Sequence, residues 1–325
     1  MKSFRQIIQA AACGAVLLAA TPQARAAEEL PPGDIHLICA YAAGSGADII
    51  VRFFAEKLRV VTGRSIIVEN KPGAIGNIAA EYVVRAKPDG LTMLVTGGNS
   101  VASSVHLFKQ PSYDAAKAFQ IAATINRATM MVGVKKDSPY NTAKELVEAM
   151  KKKGDKASWA YANPTAKVLG ALFRESAGLK SLDIAYRTGA DFLNDLASGA
   201  IDYAMPDNVQ AMAQIRAGHM KILGVGAGTR MKSASDIPTL TEQGYKMDVR
   251  TWWAALVPAA TPRPIVDQIN ALFAQVVDTP EAHAFNATIA SDAWVTKPDE
   301  AQAYFLADIK RWGEYVKVAK IEPQG

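Results

Sequence analysis

Two short stretches of this chain combine residue types suited to holding an anion. Tyr41-Ala42-Ala43-Gly44-Ser45-Gly46-Ala47-Asp48 separates an apolar strand from an amphipathic helix. Gly44 and Gly46 let a backbone approach a ligand closely, and Ser45 adds a hydroxyl. The first N–H groups of the following helix have no intrahelical acceptor, and its dipole contributes about 0.3–1 kcal/mol for an anion placed there. Ala162-Asn163-Pro164-Thr165 opens another helix in the same way, and Gly97-Gly98-Asn99-Ser100 ends a strand with an amide and a hydroxyl. Two helix starts facing each other across a cleft suit a carboxylate, each donor to a charged oxygen adding roughly 1.5–3 kcal/mol. The candidate ligand-binding residues from these loops are Tyr41, Ala43, Gly44, Ser45, Gly46, Asp48, Asn99, Ser100, Ala162, Asn163 and Thr165. Asp48 cannot favour an anion by its own charge and is expected to brace its loop through backbone N–H groups.

Three further candidates lie at strand ends. Arg187, in Tyr186-Arg187-Thr188-Gly189, can pair with a second carboxylate, or stand on the surface, or form an interlobe salt bridge. Asp207 can line the cleft or cap the helix that follows it. Trp252 and Trp253 open a strand whose period of two turns them to opposite faces, so at most one faces a cleft; Trp252 is taken as the candidate. The bland alternative for the Tyr41–Asp48 loop is a plain strand-to-helix turn.

Enzyme constellations are weak. The four histidines (His36, His106, His219, His283) are scattered and form no metal-ligand spacing, and no G-x-S-x-G elbow occurs. No catalytic residue, metal or cofactor is assigned. Gly44-Ser45-Gly46 with Glu69, 23 residues after Gly46, imitates a dinucleotide fingerprint, but Ile49 or Ile50 stands where its third glycine belongs.

The N-terminus has the pattern of a secretory signal: Lys2 and Arg5, an apolar run from about Ile7 to Ala20, then Ala24-Arg25-Ala26, with cleavage expected between Ala26 and Ala27. The run is too short for a membrane span. Ala10 and the interruption at Gln9 argue against lipidation at Cys13. Loss of Lys2, Arg5 and Arg25, with no acid, takes the net charge from +5 to +2, which argues for neither nucleic acid nor a membrane surface as partner. Only Cys39 then remains, so stability must come from a large core, in which that thiol is expected to be buried.

Strands and helices alternate along the rest, which predicts an α/β protein with mostly parallel sheets. Strands are expected at 35–41, 65–69, 91–96, 130–134, 158–161, 182–186, 201–205, 221–225 and 252–257. Helices are expected at 48–61, 76–87, 142–153 (with a Thr142–Glu145 capping box), 166–176, from Pro262 and Pro264 to Asp278, and at 299–320. No flexible linker divides the chain. Two lobes joined by paired short crossings are expected: 27–128 with 250–325, and 129–249, with a hinge and a cleft between them.

Glu69-Asn70-Lys71-Pro72-Gly73 through Lys87-Pro88-Asp89-Gly90 resembles the substrate-binding proteins of tripartite tricarboxylate transporters, the Bug family of extracytoplasmic receptors. Tyr41 to Asp48, Tyr113-Asp114 to Phe119, Gly199 to Asp202, Ile237 to Leu240 and Pro258 to Pro262 match further family segments, so the resemblance covers essentially the whole chain after the leader. It implies a two-lobed periplasmic binding protein of the type II, Venus-flytrap kind, each lobe a mostly parallel sheet flanked by helices. It implies no enzyme but a monomer that closes on a small organic carboxylate and delivers it to integral membrane permease subunits. A ligand-sensing receptor that signals through a membrane partner is the alternative. In the family two loops grip one carboxylate through amides, hydroxyls and waters; here they correspond to Tyr41–Asp48 and Ala162–Thr165. The chain departs from the family pattern at Ser45, at Asn163-Pro164-Thr165 and at Tyr186-Arg187-Thr188-Gly189, where specificity should be set. Arg187 with Trp159, Tyr161 and Trp252 leans towards a dicarboxylate, aromatic ones included.

Overall fold

The computed structural model describes residues 29–323, so the expected leader and its cleavage point lie outside the described residues. From the N-terminal side come β1 (Ile35–Cys39), α1 (Gly46–Thr62), β2 (Ile66–Asn70), α2 (Asn77–Val84), β3 (Thr92–Gly97), α3 (Gly98–Leu107), the single turn α4 (Ala115–Ala118) and β4 (Phe119–Ala128). A second group follows: β5 (Met131–Lys135), α5 (Ala143–Lys153), β6 (Ser158–Tyr161), α6 (Pro164–Ala177), β7 (Leu182–Ala185), α7 (Leu193–Ser198), β8 (Tyr203–Ala204), α8 (Asn208–Arg216) and β9 (Met220–Val225). The chain then returns through β10 (Thr251–Pro258), α9 (Arg263–Val277), α10 (Pro280–Thr288), β11 (Asp292–Ala293) and α11 (Pro298–Val318).

Each lobe is built on one sheet, ordered β11-β4-β10-β3-β1-β2 in the first and β7-β6-β8-β5-β9 in the second. β1 pairs in parallel with β2 and β3, and β6 in parallel with β7 and β8. β10 runs antiparallel between β3 and β4, and β5 antiparallel between β8 and β9. The mixed pairing has a topological cause. β5 and β10 are the strands the chain enters directly after crossing between lobes, so they start at the cleft end, where the helix-fed strands finish. The two crossings are tied side by side: Thr129 Oγ1 donates to Val249 O at 2.9 Å, Val249 N to Gly226 O at 2.9 Å, and Gly226 N to Met130 O at 3.0 Å.

Period-two alternation puts opposite faces of the first sheet into two cores. Ile35, Leu37 and Cys39 of β1 and Trp253, Ala255 and Val257 of β10 pack with Phe54, Ile269 and Phe273 of α1 and α9. Ile38, Trp252, Ala254 and Leu256 face the other way, among Val101, Phe305 and Trp312. That second core continues without a break into the second lobe through Leu169 and Phe173 of α6, Trp159 and Tyr203. Burial pushes the Cys39 thiol up to about 11, in keeping with a small buried hydrophobe.

The structure differs from the expected elements in several places. The sheets, expected to be mostly parallel, are mixed, and α4, α7, α10 and β11 lie where no element is expected. Of residues 97–100, expected to be a loop, Gly97 ends β3 and caps α3, and 98–100 are the first turn of that helix. β4, the ten-residue strand beside β10, lies where no strand is expected. α2 spans Asn77–Val84, not 76–87, because Gly73, Ala74, Ile75 and Gly76 all hold positive φ in front of it. Ile75, at φ 57°, sits in a region that β-branched residues rarely enter. At α5, Thr142 Oγ1 accepts from Glu145 N at 3.1 Å, but Glu145 Oε2 accepts from Asn141 N at 2.6 Å, so the capping box closes one residue earlier than its standard form.

Gly170 in α6 lies against the fully buried Trp159 indole, where a β-carbon would come within 2.0 Å of the ring. Gly170→Ala therefore overpacks a rigid site, and the helix-propensity gain of about 1 kcal/mol does not offset a cost of roughly 1–3 kcal/mol or more. A lower midpoint in chemical denaturation of Gly170→Ala is the expected result.

Candidate functional site

Four helix N-termini converge between the lobes. α1 and α3 belong to the first lobe, α6 and α8 to the second. Tyr41 Oη and Ser100 Oγ are 2.8 Å apart, which joins the loop before α1 to the first turn of α3. Asn99 Nδ2 donates to Thr165 Oγ1 at 3.0 Å, joining α3 to the first turn of α6 across the cleft, and both residues are buried. Val209, in the first turn of α8, packs on Gly46 so closely that a β-carbon there would lie 2.9 Å from its methyl group. Four positive dipole ends and the hydroxyls of Tyr41, Ser45, Ser100 and Thr165 therefore surround one small region, a setting that stabilises negative charge.

The loop before α1 is braced from within. Ser45 is the N-cap, and its Oγ accepts from Asp48 N at 3.2 Å. Gly44 N donates to Asp48 Oδ2 at 2.8 Å and Ser45 N to Ala42 O at 3.2 Å. These bonds consume three of the loop's donors. The amides of Gly46 and Ala47, first in the helix, keep no intrahelical acceptor, and the Ser45 hydroxyl proton remains free to donate. Asp48 also accepts from Arg52 Nε at 2.8 Å and from Asn70 Nδ2 at 2.8 Å, while the same Asn70 amide reaches Tyr41 O at 2.9 Å. Asn70, at the end of β2, thus locks the loop to the neighbouring strand.

In the second loop each residue has a distinct part. Asn163 is the N-cap of α6, its Oδ1 taken by Ala166 N at 2.8 Å, and Pro164 fills the first helical position. Ala162 packs among the apolar residues beneath it, and Thr165 is the residue that reaches the first lobe. Asp207 is the N-cap of α8, accepting from Gln210 N at 2.9 Å. It lies within electrostatic reach of Tyr41, and burial pushes its carboxyl up while the amides of Gln210 and Val209 pull it down less.

Two of the candidate residues stand apart. Trp252 is fully buried under Gly98, its indole N–H donating to Asp308 Oδ2 at 2.8 Å, so it is a core residue and not a cleft residue. Its neighbour Trp253 turns to the opposite face, into the core packed by α1 and α9, with its ring centroid 6.0 Å from that of Tyr41. The alternation along β10 is legible in the sequence; which ring faces inwards depends on where α11 packs. The loop carrying Arg187 reaches α8, since Gly189 lies against Gln210, but the guanidinium itself is 89% exposed and 3.8 Å from Asp191. Ala43 and Gly44 are exposed at the loop tip. Thr96, at the end of β3, is absent from the sequence candidates: its buried hydroxyl interacts with the Tyr41 phenol, and with Ser100 and Ile75 it lines a small cavity. A hydroxyl one strand-end away from Gly97-Gly98 is the signal that could have found it.

A larger open groove of about 910 Å³ lies elsewhere, beside α2, lined by His36, Lys71, Tyr82, Arg85 and Asp89 among others, and shares no residue with the converging helix ends. Among the described residues no group of three or more His, Cys, Asp or Glu is placed to hold a metal, and no helix is long and apolar enough to cross a membrane.

Burial raises the Asp48 carboxyl, but hydrogen bonds from Arg52, Asn70 and Gly44 outweigh it and hold the group below the ordinary range. A carboxyl lowered on folding contributes stability above its unfolded value of about 3.9, and loses it as pH falls through the folded value. Asp48→Asn, which keeps the size but not the charge, should cost about 1–3 kcal/mol at neutral pH. Urea midpoints measured from pH 7 down to pH 3 should show the gap between the two proteins narrowing on the acid side.

The chain matches the model of the tripartite tricarboxylate transporter family receptor over residues 50–321. A protein of the UPF0065 group from Bordetella bronchiseptica is 28% identical over 255 residues, covering 78% of this chain and 76% of that one. The periplasmic binding protein BugD superposes with a TM-score of 0.80 at 29% identity, covering 90% of this chain and all of that one. An R. palustris protein whose structure holds adipate shares the fold with a TM-score of 0.83 at 24% identity, covering 90% of this chain and 99% of that one. The family is one of periplasmic solute receptors, and the fold is that of a periplasmic binding protein. The chain belongs to the tripartite tricarboxylate transporter receptor family.

Proposed function

We propose that this protein captures a small organic carboxylate, foremost a dicarboxylate, between the four helix N-termini and delivers it to integral membrane permease subunits of a tripartite tricarboxylate-type transporter. The observation that carries this reading is the meeting of α1, α3, α6 and α8 at Tyr41–Ser100, Asn99–Thr165 and Gly46–Val209. One carboxylate sits against the amides of Gly46 and Ala47 with the hydroxyls of Ser45 and Thr165 beside it, where each donor to a charged oxygen adds roughly 1.5–3 kcal/mol. The adipate held by the R. palustris relative supports the choice of class. Arg187 meets a second carboxylate only if its exposed side chain turns inward from the rim, a motion its loose contact with Asp191 permits.

The protein binds without transforming its ligand, acts as a monomer, and is exported to the periplasm after loss of residues 1–26. Its lobes, 27–128 with 250–325 and 129–249, close about the crossings at Thr129 and Val249.

A thermal-shift screen with mono-, di- and tricarboxylates and aromatic acids tests the reading. A ligand at about 100 times its Kd stabilises the folded state by about 2.7 kcal/mol, and silence across the panel at millimolar concentrations refutes it. For the acid that binds, Ser45→Ala and Thr165→Ala should each weaken affinity by about tenfold or more in calorimetry. Affinity unchanged in both removes these hydroxyls from the site.

A further inference from the structure

A second set of bonds between the lobes runs along α8, from the cleft end of that helix outwards, where it meets the turn after α10. Asn208 is buried, and its Nδ2 donates to Ile289 O at 2.6 Å and to Ser291 Oγ at 3.0 Å. At the other end of the helix Arg216 Nη1 donates to Thr288 O at 2.6 Å. The turn is shaped to be read in this way. Between Ile289 and Ser291 stands Ala290, a fully buried non-glycine residue at φ 48°, in the left-handed region. A strained residue held in place by its surroundings marks a turn whose exact shape matters. The strain splays the flanking groups so that one side chain amide reaches both. Asn286 holds the turn from the other side: its carbonyl accepts from Ile289 N at 3.2 Å and Ser291 N at 2.9 Å, and its side chain Oδ1 accepts from Asn126 Nδ2 at 2.8 Å. Asn126 lies in β4, two residues before the end of that strand, where the chain crosses between lobes.

We propose that Asn208 is a positioning residue that latches the closed protein, fastening the first turn of α8 to the 288–291 turn of the other lobe without touching the ligand. Asn208 follows Asp207 and precedes Val209, so the bond that holds the lobes together also sets the helix end facing Gly46. Its donors have acceptors in the other lobe only while the lobes are together. Removing them should release the closed state and leave the cleft donors in place. The contribution to ligand residence rests on the proposed function; the contribution to closure does not.

Asn208→Asp keeps the shape but replaces the donor with an acceptor facing Ile289 O. Small-angle scattering of the ligand-free full chain should give a larger radius of gyration for Asn208→Asp than for the wild type. Stopped-flow binding of adipate should show dissociation faster by about tenfold with association changed by less than about twofold, as befits a bond that forms only once the lobes have closed on the ligand. Arg216→Ala, which removes the bond at the exposed end of the helix, should move both readings the same way if Asn208→Asp does not fold. A wild type that scatters as open as the variants overturns the latch, as does an unchanged dissociation rate. A variant that loses association while scattering as compactly as the wild type also overturns it, and places Asn208 in the cleft. If adipate and the other acids of the screen fail to bind, the proposed function falls and the scattering still decides the latch.

Discussion

One buried carboxylate holds the loop before α1 in shape. Asp48 takes the Gly44 N–H, the Arg52 guanidinium and the Asn70 amide at once, and Asn70 passes the constraint on to the carbonyl of Tyr41. A negative group so close to the proposed anion site looks contrary to its purpose. Its charge is spent on three donors, one of them cationic, so its field at the loop mouth is largely cancelled while its geometry is retained. Without it, the glycines that permit close approach would also permit many other shapes, and the conformational cost of ordering them would fall on ligand binding. Preorganisation of the loop, the start of α1 and the end of β2 thus rests on one side chain.

The convergence of helix ends follows from the same architecture. β1 and β3 in the first lobe and β6 and β8 in the second point their C-terminal ends at the other lobe, so the loops that follow them deliver helix starts to the cleft. α1 and α3 come from one side, α6 and α8 from the other. α1 and α3 begin with glycine (Gly46 and Gly98), which lets the backbones come near, α6 presents Thr165 in its first turn, and Asp207 caps α8 with a carboxyl that burial pushes up.

Much of this is legible in the residues. The Tyr41–Asp48 loop, the helix opened by Asn163-Pro164, the bracing role of Asp48 and the alternation at Trp252-Trp253 are local statements written in caps, glycines and period, and the structure has these features. What escapes a reading of the sequence depends on distant packing. Gly97-Gly98 reads as a loop because glycines weaken a helix, yet Gly98 is needed where the Trp252 indole presses on α3. The choice of Trp253 over Trp252 as the ring beside Tyr41 requires the position of Asp308, 56 residues away. The tie from Asn99 to Thr165 joins residues 66 apart, and no local pattern encodes it. β4 is hidden because its Ala-rich run, Ile121-Ala122-Ala123-Thr124, carries little strand preference, and its neighbours on both sides set its conformation.

The two flanks of the crossing segments are unlike each other. Beside α11 and α6 an apolar core passes from one lobe into the other, with Phe305, Trp312, Leu169 and Phe173 in a single cluster. Beside α8 and α10 the apolar contact is smaller: Ala290 sits in a separate cluster with Met131, Ala211, Met231 and Ala234, ringed by hydrogen bonds from Asn208, Arg216 and the amides of Lys232 and Ser233. Water can replace such bonds at small net cost, whereas parting the broader apolar flank exposes more greasy surface. Such a molecule does not open like a pair of equal jaws. It swings like a door hung on its oilier edge.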